Sequence, residues 1–215
     1  MERSKINIYN ADCLPAMKQM ADNEFDLAIV DPPYGIARDG HSGSDCKNKR
    51  HNWKTHKFKG WDGATPTNEY FIQLKRVSKN QIIWGANYFV KHLTKGTMGW
   101  IVWDKGQHGL SMSDCELAYS SFNVATRVFV FNRGLIAQKG GSIHPTQKPF
   151  ELYRYLLTNY ANEGDKILDT HLGSGSIALA CWDLGFDLTG YEIDKEYYDG
   201  AVKRLNNHKA QIQLF

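Results

Sequence analysis

At 215 residues the chain is long enough for one α/β core and too short for two ordinary domains, and its 42% hydrophobic and 23% charged content is that of a soluble globular protein. The formal charge is only +3, so overall charge alone does not announce a nucleic-acid partner. The polar start Met1–Asn10 lacks the apolar stretch of a signal peptide, and no apolar run approaches the roughly 20 residues that span a bilayer.

Ile6–Tyr9 reads as a short strand and Leu14–Met20 as a short helix. Leu27–Val30 is a continuous apolar run, as a strand buried on both faces should be. It stops at Asp31-Pro32-Pro33-Tyr34. Two prolines cannot continue a central strand, so the tetrapeptide falls at a strand's carboxyl end. Positions 38–62 show no period and few aliphatics and read as a long basic loop. Thr65-Pro66 has the form of a helix start, with Tyr70, Leu74 and Val77 on one face. Gln81–Trp84, Trp100–Trp103, Glu116–Ser120 and Thr126–Phe131 are strand candidates. Phe150, Tyr153, Leu157 and Tyr160 form a helical stripe that Gly164 closes. Lys166–Asp169 is a strand running into His171-Leu172-Gly173-Ser174-Gly175-Ser176, followed by a helix Ile177–Leu184 ended by Gly185. Asp187–Glu192 is the next strand, and Asp194 caps a last helix to about Asn207. The alternation predicts an α/β fold, a mostly parallel sheet of about seven strands covered by helices. Cys13, Cys46, Cys115 and Cys181 lie far apart without a C-x-x-C pair, as free thiols of a reducing, cytoplasmic compartment.

A strand, then Gly173-Ser174-Gly175, then a helix is a nucleotide-type site: glycine admits a ligand to the backbone and the helix start offers free N–H groups. Glu192 ends the next strand, where a carboxylate can accept two ribose hydroxyls. By spacing alone, Gly173-x-Gly175-x-x-Ala178 also matches a dinucleotide fingerprint, or a tight turn without a ligand. Position in the chain helps to separate these readings. Only 40 residues follow Gly175, so most of the sheet must come from upstream. That permuted order is unusual for a dehydrogenase.

The tetrapeptide has a specific chemical use. An exocyclic amine shares its lone pair with the base ring and is a poor nucleophile. A carboxylate (Asp31) and a main-chain carbonyl (Pro32) can accept both of its hydrogens and free that lone pair. Asp31 also favours the positive charge that develops as a methyl group arrives. The prolines fix the backbone, and Tyr34 offers a flat face for an extruded base.

Asp31-Pro32-Pro33-Tyr34, His144-Pro145-Thr146-Gln147-Lys148-Pro149 and Leu168-Asp169-x-x-x-Gly173-Ser174-Gly175-Ser176 together resemble amino-group DNA methyltransferases of the β arrangement. In that family the catalytic motif precedes the cofactor loop. The resemblance covers nearly the whole chain and implies a Rossmann-like methyltransferase fold using S-adenosylmethionine. It implies that Asp169, Gly173, Ser174 and Gly175 surround the methionine part of the cofactor, with Asp31 and His171 bordering it. Glu192 takes the ribose, Ile193 packs near the adenine, Asp12 and Cys13 meet the adenine edge, and Thr146, Lys148 and Pro149 close over the methionine end. The Asp form of the catalytic motif resembles adenine-N6 enzymes; cytosine-N4 enzymes more often have Ser there. Thr170-His171 replaces the family's usual Pro-Phe. The imidazole could stand in as a flat ring, but one that ordinarily titrates near neutral pH.

Between positions 38 and 59, Arg38, Lys47, Lys49, Arg50, Lys54, Lys57 and Lys59 face only Asp39 and Asp45, a surplus of five positive charges (7 − 2). Trp53, Phe58 and Trp61 interleave with them. Cations neutralise phosphates and aromatics stack or wedge when a base leaves the duplex, although a solvated loop has the same composition. Asp104-Lys105, Arg133, Gln138 and Lys139 are weaker candidates for the DNA side. His41, Cys46, His51 and His56 lie five apart, which does not match paired zinc ligands, so no metal is expected.

The expected protein is one methyltransferase domain over 1–215, with a DNA-contact loop at 38–62 and a small recognition region within about 105–143. It methylates adenine N6 in double-stranded DNA after base flipping, in a restriction-modification-like role. Cytosine N4 is the nearest alternative; an NAD-dependent oxidoreductase and a non-catalytic DNA-binding protein are more remote. A homodimer and a cognate endonuclease are partners by resemblance only.

Overall fold

The computed structural model describes residues 4–40, 58–93, 96–109, 113–135 and 142–212. Their strands are β1 (Ile6–Tyr9), β2 (Phe25–Val30), β3 (Ser78–Trp84), β4 (Trp100–Asp104), β5 (Cys115–Ser120), β6 (Arg127–Val130), β7 (Lys166–Asp169) and β8 (Asp187–Tyr191). The helices are α1 (Cys13–Gln19), α2 (Asn68–Val77), α3 (Phe150–Tyr160), α4 (Ser176–Leu184) and α5 (Lys195–Ile212). All eight strand candidates pair in one sheet, ordered β1-β8-β7-β2-β3-β5-β4-β6, so the expected count of about seven is low by one. Only β5 runs against the others.

Alternation sorts each central strand between two cores. Leu27 and Ile29 of β2, with Ile82 and Trp84 of β3, pack beneath Leu152, Leu156, Ile177 and Ala201 of α3, α4 and α5. Ala28, Val30 and Ile83 point the other way, against Met17, Tyr70, Phe71 and Leu74 of α1 and α2. Burial on both faces explains the unbroken apolar run of β2.

Several boundaries differ from expectation, β3 for example starting at Ser78 rather than Gln81, and three helix ends have a local cause. α2 starts two residues beyond Pro66, because the Thr67 hydroxyl accepts the Tyr70 N–H at 3.4 Å and caps the helix there. α3 stops at Tyr160, where an Asp165 carboxylate accepts the Asn162 N–H at 2.8 Å; Gly164, at φ +87°, belongs to that turn rather than to the helix end. α5 runs past Asn207 to Ile212 through the good helix formers Lys209, Ala210 and Gln211.

The sheet order places β7 beside β2, in parallel register with Leu168 opposite Ala28. Two loops far apart in sequence, after Val30 and after Asp169, therefore leave the same edge of the sheet side by side. Open α/β sheets bind ligands at such carboxyl edges.

Candidate active site

On the β7 side, Gly173 (φ +51°) and Gly175 (φ +69°) adopt left-handed backbone, and a Cβ on Gly175 would lie 2.9 Å from that of Ala201. The loop is clamped from outside. Arg204 of α5 donates to the Ser174 carbonyl (3.0 Å) and the Ser176 hydroxyl (2.9 Å). Glu192 accepts the Gly173 N–H at 2.7 Å on one oxygen and the Asp194 N–H at 2.8 Å on the other, fixing its carboxylate plane against the loop. Burial raises the Glu192 pKa, though those two N–H donors oppose it. Burial pushes Asp169 up to about 8, only partly offset by the His171 N–H at 2.9 Å. Cys13, enclosed beside Asp12, is pushed up to about 12, chiefly by burial, and stays an unreactive thiol.

On the β2 side, Asp31 has both oxygens engaged. Tyr34 donates its hydroxyl to Oδ1 at 2.6 Å, and the Lys148 ammonium lies 2.5 Å from Oδ2. Lys148 also reaches Glu116 of β5 at 3.1 Å and donates to the Tyr34 hydroxyl at 3.3 Å. Glu116 holds a second ammonium, Lys105, at 2.9 Å. Burial raises the Asp31 pKa, against the pull of Lys148. Burial would raise Glu116 too, but the two ammonium groups draw it down to about 2. Two acids and two cations thus form one buried, charge-balanced chain behind the tetrapeptide.

The Tyr34 ring is less open than expected. Tyr88 stacks on it at 5.1 Å and 16°, and the backbone of Gly85 lies so close that a Cβ would sit 2.1 Å from the ring. Pro32 is buried and Pro33 half-buried.

His171 differs from an ordinary histidine: burial lowers its pKa to about 4, so it is a neutral ring at physiological pH. Its Nδ1 pairs with Thr170 Oγ1 at 2.9 Å, which meets the Tyr70 hydroxyl at 2.6 Å, and its ring abuts Tyr70 edge-on. Asp12 is exposed and caps α1 by accepting the Leu14 N–H at 2.9 Å. Ile193 is 65% exposed at the end of β8, free to be covered by a ligand. Thr146 pairs with His144 Nδ1 at 3.1 Å, and the His144 ring rests over Gly173. Lys148 and Pro149 are buried, and the Lys148 carbonyl accepts the Ser176 hydroxyl at 2.9 Å.

Of the basic candidates, Lys47, Lys49, Arg50, Trp53, Lys54, Lys57, Gln138 and Lys139 lie outside the described residues, as do His41, Cys46, His51 and His56. Arg38 is exposed near the tetrapeptide. Lys59 turns inward: its ammonium binds Asp194 at 2.7 Å and Glu196 at 2.9 Å and lies 4.0 Å over the Tyr197 ring. Arg133 is half-enclosed and donates to the Pro145 carbonyl at 3.4 Å. Asp62 accepts the N–H groups of Gly35 (2.8 Å) and Arg38 (2.7 Å), tying the two ends of the 38–62 segment together. The motifs gave no sign of Glu116, Tyr88, Gly85, Asp62 or Arg204.

The pocket suits a ligand that carries positive charge and ribose hydroxyls. Among the described residues, the buried acids Asp169 and Glu192 have no ion-pair partner, and they lie beside the left-handed glycine backbone of the loop. S-adenosylmethionine, with its ammonium, sulfonium and ribose, meets that donor set.

Comparison with known proteins agrees. A DNA methylase family model matches residues 124–203. The type II methyltransferase M.HpaI of Haemophilus parainfluenzae is 26% identical across 92% of this chain and 73% of its own length. M.HinfI of Haemophilus influenzae is 23% identical across 94% and 68%. The solved complex of M1.HpyAVI with S-adenosylmethionine shares the fold at a TM-score of 0.60 and 22% identity, covering 93% of this chain and 100% of that one. The cytosine-N4-specific PvuII DNA methyltransferase shares it at 0.62 and 11% identity, covering 98% and 93%. With the three motifs and their permuted order, the chain is similar to amino-methyltransferases of the N6/N4 DNA methylase family and has the fold of the solved DNA methyltransferases.

Proposed function

We propose that the protein methylates adenine N6 in double-stranded DNA, on a base turned out of the helix. The observation that carries this reading is Asp31 at the carboxyl end of β2, beside the Asp169–Gly175 loop on β7. The Asp31 carboxylate and the Pro32 carbonyl accept the two amino hydrogens. The nitrogen lone pair then becomes free to form the new N–C bond, and one N–H proton must leave afterwards. Asp31 stabilises the positive charge on nitrogen until it does. The cofactor supplies a methyl group already activated by a positively charged sulfur leaving group. Asp169 and the Gly173–Gly175 backbone hold its methionine part, Glu192 its ribose, and Asp12, Cys13 and Ile193 its adenine. Thr146 and Pro149 close the methionine end. His171, neutral and flat, serves as the wall that a phenylalanine provides elsewhere. Tyr34, backed by Tyr88, forms the aromatic side of the base pocket.

The aspartate of the tetrapeptide favours adenine over cytosine. We assign Arg38, Lys47, Lys49, Arg50, Lys54 and Lys57 to the DNA backbone and Trp53 to stacking or wedging beside the displaced base, with Arg133 and Lys139 in a recognition region within about 105–143 of a single methyltransferase domain. A modification role paired with a restriction endonuclease fits the type II methyltransferases to which the chain is similar.

Single-molecule sequencing of unmodified DNA treated with enzyme and cofactor should find N6-methyladenine, and none with Asp31→Ala, which keeps cofactor binding in calorimetry. Methylated cytosine N4 would reverse the base assignment, and full activity of Asp31→Ala would refute the mechanism.

A further inference from the structure

An amine that reaches Asp31 meets a donor on each carboxylate oxygen, and at one of them it must compete with an ammonium held at 2.5 Å. The Tyr34 hydroxyl occupies Oδ1, and the Lys148 ammonium occupies Oδ2, where an amine nitrogen would have to donate. Lys148 is 1% exposed at its side chain, so water does not offer its charge another home. Among the described residues, one other carboxylate touches it: Glu116, at 3.1 Å. Glu116 enters from β5, the strand that runs against the rest, and is steadied from behind by Lys105. The Trp84 ring, 5.2 Å away, gives the ammonium an aromatic face on its path.

We propose that Glu116 is a positioning residue for methyl transfer: it takes over the Lys148 ammonium when the target amine displaces it from Asp31. Lys148 then has two seats. On Asp31 it favours the ionised carboxylate before the base arrives; on Glu116 it leaves Asp31 to the amine. The proposal rests on the role given to Asp31 above. The other groups facing Asp31 and Glu116 are Tyr34 beside β2, Tyr70 of α2, Lys105 beyond β4, Arg133 beyond β6, Tyr153 of α3 and Asp169 of β7. Of these, Lys105 and Arg133 stay on the Glu116 side, so the amine's arrival changes one contact.

The test is kcat against pH with saturating cofactor and unmodified duplex DNA, for the parent, Glu116→Gln and Glu116→Asp. Rate requires ionised Asp31 and falls on the acid side. Removing the Glu116 charge makes Asp31 easier to ionise, so in Glu116→Gln the acid limb moves to lower pH. The plateau falls at least tenfold, because Lys148 has nowhere to go, while cofactor affinity stays within twofold. Glu116→Asp keeps the charge and recovers part of the plateau. A Glu116→Gln plateau within twofold of the parent, or a lowered plateau with an unmoved limb, overturns the proposal. A second measurement needs no variant. In a structure of the parent with duplex DNA and a cofactor analogue lacking the methyl group, Lys148 Nζ should contact Glu116 and not Asp31. Nζ still on Asp31 overturns the proposal. A parent that puts no methyl group into DNA refutes the underlying reading instead.

Discussion

Replacing Lys148 with methionine isolates the energetics of the buried charge chain. Methionine keeps the length and most of the volume of the stem, so packing changes little. The charge change is large. Asp31 loses its only cation contact among the described residues, while Glu116 retains Lys105 at 2.9 Å. Breaking a buried pair by removing one partner costs about 3–5 kcal/mol, and with one of the two acids still compensated the lower end applies, ~3 kcal/mol. For a chain of this size each kcal/mol moves the melting point by about 2–4 °C, so a fall of roughly 6–12 °C is expected. The deficit has a definite pH dependence. Burial already raises the Asp31 pKa above its unfolded value, and loss of Lys148 raises it further. Between the parent's folded Asp31 pKa and the variant's higher one, only the folded variant still holds the proton that the unfolded chain releases above about pH 4, so the deficit grows across that interval and is constant beyond it. Urea unfolding of parent and variant at about pH 4.5 and pH 8 measures this. A deficit below about 1 kcal/mol at pH 8, or one equal at both pH values, would refute the reasoning.

Gly85→Ala places a Cβ 2.1 Å from the Tyr34 ring on a backbone at φ +68°; the left-handed backbone alone costs about 1–2 kcal/mol, and the displaced ring loses its bond to Asp31, so thermal melting and kcat should both fall. If Asp169 holds the cofactor's ammonium, binding must ionise a carboxyl whose pKa is about 8. Cofactor affinity should therefore rise with pH up to about 8 and level off, with proton release on binding seen by calorimetry in two buffers; Asp169→Asn should remove that dependence. Neutralising Lys47, Lys49 and Arg50 should flatten the salt dependence of DNA affinity by about 0.9 log units per lost phosphate contact. Lys59→Met should leave the slope alone, because that ammonium is bound to Asp194 and Glu196; a slope that changes with Lys59→Met and not with the other three would invert the assignment.

The succession of strands along the chain and the two loops that follow β2 and β7 were legible because they follow from local pattern. The apolar run Leu27–Val30 and the run Lys166–Asp169 are strands by hydrophobicity; the first is ended by two prolines that cannot extend it, and the second runs into the glycine loop. Helix ends were less legible. Thr67 displaces the start of α2 from Pro66 because a side-chain cap competes with proline for the same role, and nothing local decides between them. Glu116 was illegible for a different reason. Its significance comes from Lys148, 32 positions away, and from β5 running antiparallel, which only the assembled sheet settles. Lys59 reads as one more cation in a basic run, and its inward turn depends on Asp194 and Glu196 at the far end of the chain. His171 looks like a group poised to titrate near neutral pH, and burial removes that behaviour.

The charge chain also explains how a buried aspartate can be ready for an amine. Low dielectric strengthens the attraction of Asp31 for the positive charge that develops on nitrogen, and the same low dielectric favours protonating Asp31 beforehand. A protonated Asp31 would present a donor where an acceptor is required. Lys148 opposes that protonation with a charge of the same sign as the one that would form in the reaction, although burial is the larger effect and leaves the Asp31 pKa raised. The exchange of Lys148 for the amine then replaces one cationic donor at Oδ2 by another that becomes cationic, so the carboxylate is not left bare at any stage. The Lys148 carbonyl is fixed by Ser176 at the start of α4, directly after the glycine loop. The group that protects Asp31 is therefore anchored to the segment assigned to the cofactor, so the backbone from which the ammonium reaches its two carboxylates is fixed by that segment.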